Sequence, residues 1–207
     1  MNMRIGHGWD SHAFKAGVPL KIGGLLIDHP QGLSGHSDGD VLLHAITDAL
    51  LGAIAVGDIG SFFPPGDPRW KDADSAIFVN LALEEVHTAG YRIANLDTTL
   101  VLAAPKIGPI ANDIRERVAE LLQIEAGAVG IKAKTPEGLN QNHMVEAHAV
   151  VLLERPSGDE GLRAMEAAID DRQTVEEVVS ELVNDVHGSA SPRRLAPVPV
   201  FDTEDIT

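Results

Sequence analysis

The 207-residue chain contains no cysteine, which excludes disulfide bonds and thiolate metal sites. A transition metal bound here must therefore be held by histidine, aspartate or glutamate side chains. Basic residues are also few. Lysine and arginine together number 16 against 31 aspartates and glutamates, a net charge of −15 with neutral histidines. This balance argues against nucleic acid as the main partner.

Long apolar runs are missing as well. Residues 1–14 contain no apolar segment of the kind found in signal peptides, and no apolar run approaches the ~18 residues of a membrane-spanning helix. Hydrophobic residues make up 44% of the chain, enough at this length to bury a core without cross-links. We therefore expect a soluble protein with no membrane partner, most simply a cytoplasmic one.

Charge and turn residues divide the chain near residues 155–158. Residues 1–154 carry 19 acidic and 11 basic side chains, whereas residues 155–207 carry 12 and 5. The boundary sequence Arg-Pro-Ser-Gly follows an apolar segment and is typical of a turn. Beyond it, apolar residues recur at helical spacing. We expect a globular domain at 1–154, an amphipathic helical extension at 155–188 and a disordered tail at 189–207.

Hydrophobic patterns predict alternating strands and helices in residues 1–154. Gly23-Gly24, between two short apolar segments, is typical of a two-residue hairpin turn. The alternation favours an α+β fold with one mixed sheet and helices on one face. The predicted strands are 3–9, 20–22, 25–27, 91–103, 129–135 and 147–154; the predicted helices are 39–56, 74–88 and 110–123, with loops at 32–38 and 57–69.

Five of the nine histidines lie in the first 44 residues. Asp10 and His12 are two positions apart, so in an extended segment their side chains leave the same face. On the first predicted helix, Asp40, His44 and Asp48 form an i, i+4, i+8 stripe. Asp10, His12 and His44 together would make a three-ligand site with an open fourth position, the pattern of a catalytic zinc.

The competing interpretation of these residues is structural. A single Asp-x-His sequence is common, and an isolated His44 on an apolar helix is more often a core histidine with its nitrogens satisfied. Asp48, one turn beyond His44, could be the hydrogen-bond acceptor that orients the His44 ring.

Three segments have compositions that suit phosphate binding. The glycines and prolines of 57–60 and 63–67 allow the backbone to approach a ligand closely. Residues 132–137, Lys-Ala-Lys-Thr-Pro-Glu, end a predicted strand with two cations, a hydroxyl and a carboxylate. That carboxylate suits a hard cation such as Mg²⁺ held against phosphate oxygens. Without further context, each segment is also an ordinary surface loop.

Together these segments resemble the family of 2-C-methyl-D-erythritol 2,4-cyclodiphosphate synthases. The resemblance lies in residues 4–12, Arg-Ile-Gly-His-Gly-Trp-Asp-Ser-His, and 35–44, Gly-His-Ser-Asp-Gly-Asp-Val-Leu-Leu-His. An Asp-x-His upstream of a Ser-Asp-Gly-Asp-x-x-x-His block is a specific combination. The resemblance covers about residues 3–154 and continues at 45–58, Gly60, Phe63, Pro64, Asp67, 104–106 and 132–137.

The resemblance implies an activity and an assembly. In this family the 2-phosphate of 4-diphosphocytidyl-2-C-methyl-D-erythritol 2-phosphate attacks the β-phosphate and releases CMP, during synthesis of isoprenoid precursors. Two divalent cations neutralise the charge that gathers as phosphate approaches diphosphate. The expected assembly is a homotrimer with sheets around a central axis and active sites between neighbouring subunits.

The resemblance also implies roles for individual residues. Asp10, His12 and His44 match zinc ligands, and Glu137 matches a carboxylate that coordinates Mg²⁺ or Mn²⁺ with the substrate diphosphate. His36 and Thr135 match transition-state stabilisers. The implied substrate-binding residues are Asp10, Ser11, His12, His36, Ser37, Asp58, Ile59, Gly60, Phe63, Pro64, Pro65, Gly66, Asp67, Ala104, Pro105, Lys106, Lys134, Thr135, Pro136 and Glu137.

Some segments depart from the family pattern. Residues 138–146 replace a usual Gly-Arg-Gly-Glu segment, and Pro65 replaces a usual aspartate. The missing arginine lies near the trimer axis in many members, where a cavity takes up an isoprenoid diphosphate. One hypothesis is that His143 or His148 takes over anion binding there; the other is that both only fill a shortened loop. The helical extension suits packing on its own domain or docking onto a partner such as another pathway enzyme.

Two further functions stay open on the residues alone. A non-catalytic trimer that binds cytidine nucleotide or metal would keep the same ligands. A zinc-dependent phosphohydrolase is the other, because three oxygen and nitrogen ligands also suit water activation. The reaction products distinguish the three functions. A synthase gives cyclic diphosphate with CMP, a phosphohydrolase gives linear phosphates, and a non-catalytic trimer gives no turnover.

Overall fold

The computed structural model describes residues 3–138 and 143–156, which build one mixed sheet covered by helices. A separate hairpin consists of β2 (Leu20–Ile22) and β3 (Leu25–Ile27). In order across the main sheet, the strands are β4 (Gln31–Leu33), β1 (Met3–Ala16), β7 (Met144–Glu154), β5 (Arg92–Val101) and β6 (Val129–Lys134). The helices are α1 (Val41–Ala53), α2 (Ile59–Phe62), α3 (Ala76–Thr88) and α4 (Ala111–Leu122), with 3-10 turns at Pro68–Trp70, Gly108–Ile110 and Ala126–Ala128.

The strand directions confirm the mixed α+β architecture. β5 and β6 run parallel, and α4 lies in the crossover between them. The pairs β1–β4, β1–β7 and β5–β7 are antiparallel. Within the described part of the chain, no helix is long and apolar enough to cross a bilayer.

Two glycines of β1 set the distance between the sheet and α1. A Cβ atom on Gly6 would lie 1.8 Å from the carbonyl oxygen of Ala49, and one on Gly8 would lie 1.9 Å from that of Ala45. The backbones of β1 and α1 therefore meet without intervening side chains, which only glycine allows. Ala45 and Ala49 are fully buried at this contact.

The carboxylate of Asp40 ties α1 to the hairpin. It accepts hydrogen bonds from the backbone N–H groups of Leu42 and Leu43 in the first turn of α1, at 3.2 and 3.1 Å. It also accepts the N–H groups of Gly23 and Gly24, at 2.9 and 2.7 Å. Because Asp40 is fully buried, these four donors replace the water that the carboxylate loses on folding.

The two faces of the sheet differ in burial. The face toward the helices is packed, and alternate residues of β7 on it are fully buried. The opposite face carries apolar side chains in the open: Ile5 is 72% exposed, Trp9 49% and Val150 43%. Isolated exposed apolar residues are ordinary, but three on neighbouring strands mark a surface that fits a partner. The buried β7 residues are Val145, Ala147, Ala149, Val151 and Leu153.

Most predicted elements are present, with shifted ends. β1 continues to Ala16 instead of ending at Trp9, and β7 begins at Met144, before the predicted start at residue 147. The β1 extension mixes polar and apolar residues and that of β7 is only three residues long, so hydrophobic alternation does not reveal them; pairing between the two strands holds them. Residues 31–33 form β4, and the predicted loop 57–69 contains α2 and a 3-10 turn. The predicted extension at 155–188 and tail at 189–207 lie almost entirely outside the described residues.

Replacing Gly8 by alanine should lower the free energy of unfolding by about 3 kcal/mol, because the new Cβ would collide with a backbone oxygen rather than a movable side chain. Gly127→Ala is the matched control, since nothing lies within 4 Å of the added Cβ, and its effect should stay under about 0.5 kcal/mol. Urea unfolding followed by circular dichroism measures both. Equal unfolding midpoints for the two variants would contradict the close contact.

Candidate metal centre and active site

Asp10 and His12 of β1 meet His44 of α1. Asp10 Oδ2 lies 2.9 Å from His12 Nε2 and 2.9 Å from His44 Nδ1, and the two nitrogens are 3.0 Å apart. The structure thus brings together the three side chains that the sequence spacing groups. Three donor atoms arranged as a small triangle could hold one metal ion.

The surrounding fold explains why these side chains converge. Gly8 brings β1 against Ala45, the residue next to His44, so strand and helix are in backbone contact beside the three side chains. Asp10 follows two residues after Gly8 and His12 two further, so both side chains leave β1 on the face that Gly8 turns toward α1. His44 lies one turn after Asp40, which fixes the start of α1.

The electrostatics of the triangle favour a cation. Burial by itself raises the pKa of Asp10, but hydrogen bonds and charge interactions with His12 and His44 hold it well below its ordinary value. The carboxylate therefore stays ionised at neutral pH. A carboxylate oxygen and two imidazole nitrogens at 2.9–3.0 Å need a proton or a cation among them to offset lone-pair repulsion. Zinc takes such donors at ~2.0–2.1 Å, so these residues fit a divalent metal.

The far side of His44 faces two hydroxyl groups. His44 Nε2 lies 2.9 Å from Ser37 Oγ and 2.9 Å from Ser75 Oγ. Ser37 is one of the predicted substrate-binding residues, whereas Ser75 is not among the predicted site residues. A serine just ahead of a helix normally indicates a cap, and its contact with a residue 31 positions earlier has no local signal.

The structure separates the three side chains of the helical stripe, and the interpretation of Asp48 as the acceptor that orients His44 is wrong. Asp40 does not share a functional surface with His44, because its carboxylate is buried against backbone N–H groups. Asp48 does not orient His44; its Oδ1 accepts the backbone N–H of Ile59 at 2.7 Å. The stripe is real as helical geometry, but its three side chains serve three different purposes.

The predicted substrate loop is held at both ends. Asp48 binds Ile59 as described, and His36 Nε2 lies 3.2 Å from the carbonyl oxygen of Asp67. Asp58 accepts the N–H of Ser61 at 2.8 Å and so caps α2. Residues 58–67 are therefore connected to α1 on one side and to the segment carrying His36 on the other. Gly60, Pro64, Pro65 and Gly66 are exposed along this loop.

Phe63 belongs to the interior of this loop. Its ring centroid lies 4.4 Å from that of Phe78 and 5.2 Å from that of Trp70. Phe63 is only 7% exposed, so its ring serves as an anchor for the loop. This small aromatic cluster stiffens the segment that the prediction assigns to substrate.

The remaining predicted residues lie at the end of β5 and β6. Lys106 is exposed after β5, and Lys134 and Thr135 are exposed at the end of β6. The Thr135 hydroxyl donates to the Glu137 carboxylate. Glu137 has a φ of 47°, a left-handed conformation that costs a non-glycine residue energy and often occurs at functional sites. Ala104-Pro105 and Pro136 complete this group.

The metal group (Asp10, His12 and His44) and the Thr135–Glu137 segment lie at the same end of the sheet, but on strands that are far apart. In strand register, Ser11 pairs with Glu146, Glu146 with Val101, and Val101 with Lys134. Ser11 and Lys134 are thus three strands apart in the same row, about 14 Å at ~4.8 Å per strand. Within one chain, the metal group and the Thr135–Glu137 segment do not meet.

Comparison with known proteins now places the chain. The model of the YgbB family matches residues 3–154. The chain belongs to the YgbB family. The match includes both groups of site residues, and residues 155–207 lie outside it.

Relatives of this YgbB chain carry names that agree with one another. A protein of Koribacter versatilis named 2-C-methyl-D-erythritol 2,4-cyclodiphosphate synthase is 65% identical over 153 residues, covering 74% of this chain and 99% of the relative. A chloroplastic protein of the same name from Oryza sativa subsp. japonica is 50% identical over 155 residues, covering 73% and 70%. A solved structure of such a synthase in a CDP-bound form is 42% identical, with a TM-score of 0.69 over 73% of this chain and all of that one.

The donor set predicts one zinc ion per chain, and removing it with a chelator should lower the melting temperature by several degrees, because the ion binds only the folded state. Asp10→Asn should abolish zinc binding while keeping the fold, since it removes the one charged ligand at nearly constant volume. Asp28→Asn, at an exposed aspartate, is the matched control. Calorimetry and metal analysis measure both effects. Full zinc content in Asp10→Asn would contradict the assignment.

Proposed function

We propose that this chain is a phosphorus–oxygen lyase that cyclises 4-diphosphocytidyl-2-C-methyl-D-erythritol 2-phosphate and releases CMP, in non-mevalonate isoprenoid precursor synthesis. The observation that carries the proposal is the convergence of Asp10, His12 and His44 in a YgbB chain 65% identical to a relative of that name. An oxygen of the 2-phosphate forms a bond to the β-phosphorus. The bond from the β-phosphorus to its oxygen bridge breaks, and that electron pair leaves with CMP.

The assigned metals are Zn²⁺ at Asp10, His12 and His44, and Mg²⁺ or Mn²⁺ at Glu137 with the substrate diphosphate. When bound, such ions supply positive charge to phosphate oxygens. The protein's own share is mainly positioning, because phosphoryl transfer of this kind requires little proton movement by side chains.

Side chains of the chain hold the substrate around this centre. Lys134 ends β6, and Lys106 lies in the segment after the adjacent parallel strand β5; both are assigned to phosphate oxygens. Lys132 does not join them, because its Nζ lies 2.5 Å from Asp97 Oδ2. His36 and Thr135 are assigned to stabilise charge on the transferring phosphoryl group through N–H and O–H donors. The proposed substrate surface consists of Asp10, Ser11, His12, Ser37 and residues 58–60, 63–67, 104–106 and 134–137.

We extend the proposal to a homotrimer with active sites between subunits. The separation of about 14 Å between the metal group and the Thr135–Glu137 segment supports it, because a neighbouring copy can supply the missing group. The exposed apolar face carrying Ile5, Trp9 and Val150 gives a second argument, since a three-fold assembly would cover it. The substrate is a small molecule, and neither nucleic acid nor membrane is proposed as a partner.

His148 is the better candidate for an anion-binding role at the trimer axis. It lies on the exposed sheet face, where it pairs with Trp9 of the neighbouring strand β1. Its ring centroid is 5.9 Å from that of His7. His143 lies elsewhere, where its carbonyl oxygen accepts the N–H of Phe14 at 2.8 Å. If His148 contributes there, His148→Ala should weaken farnesyl diphosphate binding several-fold, measured by calorimetry. An unchanged affinity would favour the filler interpretation.

Cellular location and the role of residues 155–207 are proposals from composition. We propose a cytoplasmic enzyme whose acidic extension docks onto another enzyme of the pathway. The plant relative named above is chloroplastic, so location varies among relatives of this chain.

Purified enzyme with substrate and Mg²⁺ should release CMP together with the cyclic diphosphate. Nucleotide chromatography measures the CMP, and mass spectrometry identifies the cyclic product. Asp10→Asn and Glu137→Gln should each reduce turnover by at least about 100-fold, because each removes the charge that neutralises the phosphates. A linear product would indicate a phosphohydrolase instead. A folded, zinc-loaded protein without turnover would indicate a binding protein.

Mixing the same two inactive variants tests the shared site. If each site takes its metal group from one subunit and Glu137 from the next, random trimers of the two variants should regain about a quarter of full activity. Trimers of either variant alone are the controls and should stay inactive. No recovery after proven subunit exchange would place both groups of residues in one chain.

A further inference from the structure

We propose that Ser75, held by Asp38, is a positioning residue that fixes the tautomer of His44, so that its Nδ1 presents a lone pair to the metal. This inference rests on the proposed metal site of Asp10, His12 and His44. It concerns a residue outside every segment that the sequence assigns to metal or substrate.

Ser75 does not serve the helix that it precedes. A serine at this position ordinarily accepts a hydrogen bond from a backbone N–H in the first helical turn. The Ser75 side chain makes no such bond to α3. Its Oγ lies 2.5 Å from Asp38 Oδ1 and 2.9 Å from His44 Nε2. The side chain is completely buried and links an aspartate to a metal-ligand candidate.

The direction of these two hydrogen bonds follows from which groups can donate. An ionised carboxylate only accepts, so the Ser75 hydroxyl donates its single proton to Asp38. Toward His44, the Ser75 oxygen can then only accept. His44 must therefore carry its proton on Nε2. Its Nδ1, which lies beside Asp10 Oδ2 and His12 Nε2, is then the ring nitrogen that gives its lone pair to the metal.

The charge on Asp38 makes this direction firm. Lys21 Nζ lies 2.9 Å from Asp38 Oδ2, and the backbone N–H of Asp40 points at Oδ1 from 3.3 Å. Burial raises the pKa of Asp38, but the hydrogen bonds from Ser75 and Lys21 outweigh burial and lower it. A chain of contacts thus runs from Lys21 on the hairpin, through Asp38 and Ser75, to His44.

Ser37 provides the internal comparison. Its Oγ is also 2.9 Å from His44 Nε2, and 3.3 Å from Ser75 Oγ. Within the described part of the chain, the Ser37 hydroxyl forms no hydrogen bond with a carboxylate. Its hydroxyl can donate to His44 or accept from it, so it accommodates either tautomer. Two serines at equal distance from one nitrogen therefore have different consequences.

The test measures zinc affinity by chelator competition in the full-length protein. Outer partners of metal-ligating histidines typically change metal affinity 10–100-fold when removed. We expect Ser75→Ala to weaken zinc binding by about 10–100-fold, and Ser37→Ala, the matched control, by less than about threefold. Thermal unfolding in excess chelator establishes that each variant is folded without metal.

Asp38→Asn separates the relay from simple packing. Lys21 attracts the oxygen of the new amide, which turns the NH₂ group toward Ser75 and reverses both hydrogen bonds. We expect this nearly isosteric variant to weaken zinc binding at least tenfold. Combined with Ser75→Ala it should add little, because both changes act through one path. If Ser75→Ala fails to fold, Asp38→Asn decides alone.

Nitrogen-15 NMR of the metal-free protein gives a readout that packing does not move. The wild type should show His44 protonated on Nε2, and Asp38→Asn should shift the proton toward Nδ1. Equal zinc affinities in wild type, Ser75→Ala and Asp38→Asn would overturn the inference, as would equal losses in the two serine variants. A folded wild type that binds no zinc would overturn the metal site itself, a result distinct from those.

Discussion

The direct contact between the backbones of β1 and α1 is the constraint on which the site depends. Gly6 and Gly8 leave no room for a side chain, and the carbonyl oxygens of Ala49 and Ala45 occupy the space. His44 precedes Ala45, and Asp10 follows two residues after Gly8, so the contact lies directly beside the metal group. Any added atom would push helix from strand and separate donor atoms that now lie within 3.0 Å.

The segment before α1 complements this contact. Asp40 caps the helix and joins it to the hairpin, which sets its height above the sheet. Gly39 has a φ of 77°, which favours glycine, and the Asp38 carboxylate just before this turn accepts the Ser75 hydroxyl. Ser37 then reaches His44 from the same side. The Ser-Asp-Gly-Asp motif therefore has a physical meaning: one aspartate starts the helix, and the other supports its histidine.

Sequence patterns predict the part of this arrangement that is local. Asp10 and His12 share a face because strands alternate, and His44 falls one turn into a helix whose apolar stripe is plain. The errors arise where the decisive partner is distant. Asp48 has the spacing of an acceptor for His44, but its partner, the backbone N–H of Ile59, belongs to another element. Ser75 resembles an ordinary helix cap, and only the folded structure brings its hydroxyl to His44.

Charge explains why this fold needs ions for the proposed chemistry. A chain with a net charge of −15 takes a substrate that carries several phosphate charges. Several of its basic side chains are already neutralised: Lys21 pairs with Asp38, Arg69 with Asp67 and Lys132 with Asp97. These pairs lie at the hairpin, the substrate loop and the sheet edge, and each one offsets a positive charge that would otherwise face a ligand. In the proposed site, positive charge for the phosphates comes from Lys106, Lys134 and bound metal, which makes the placement of the three donor atoms decisive.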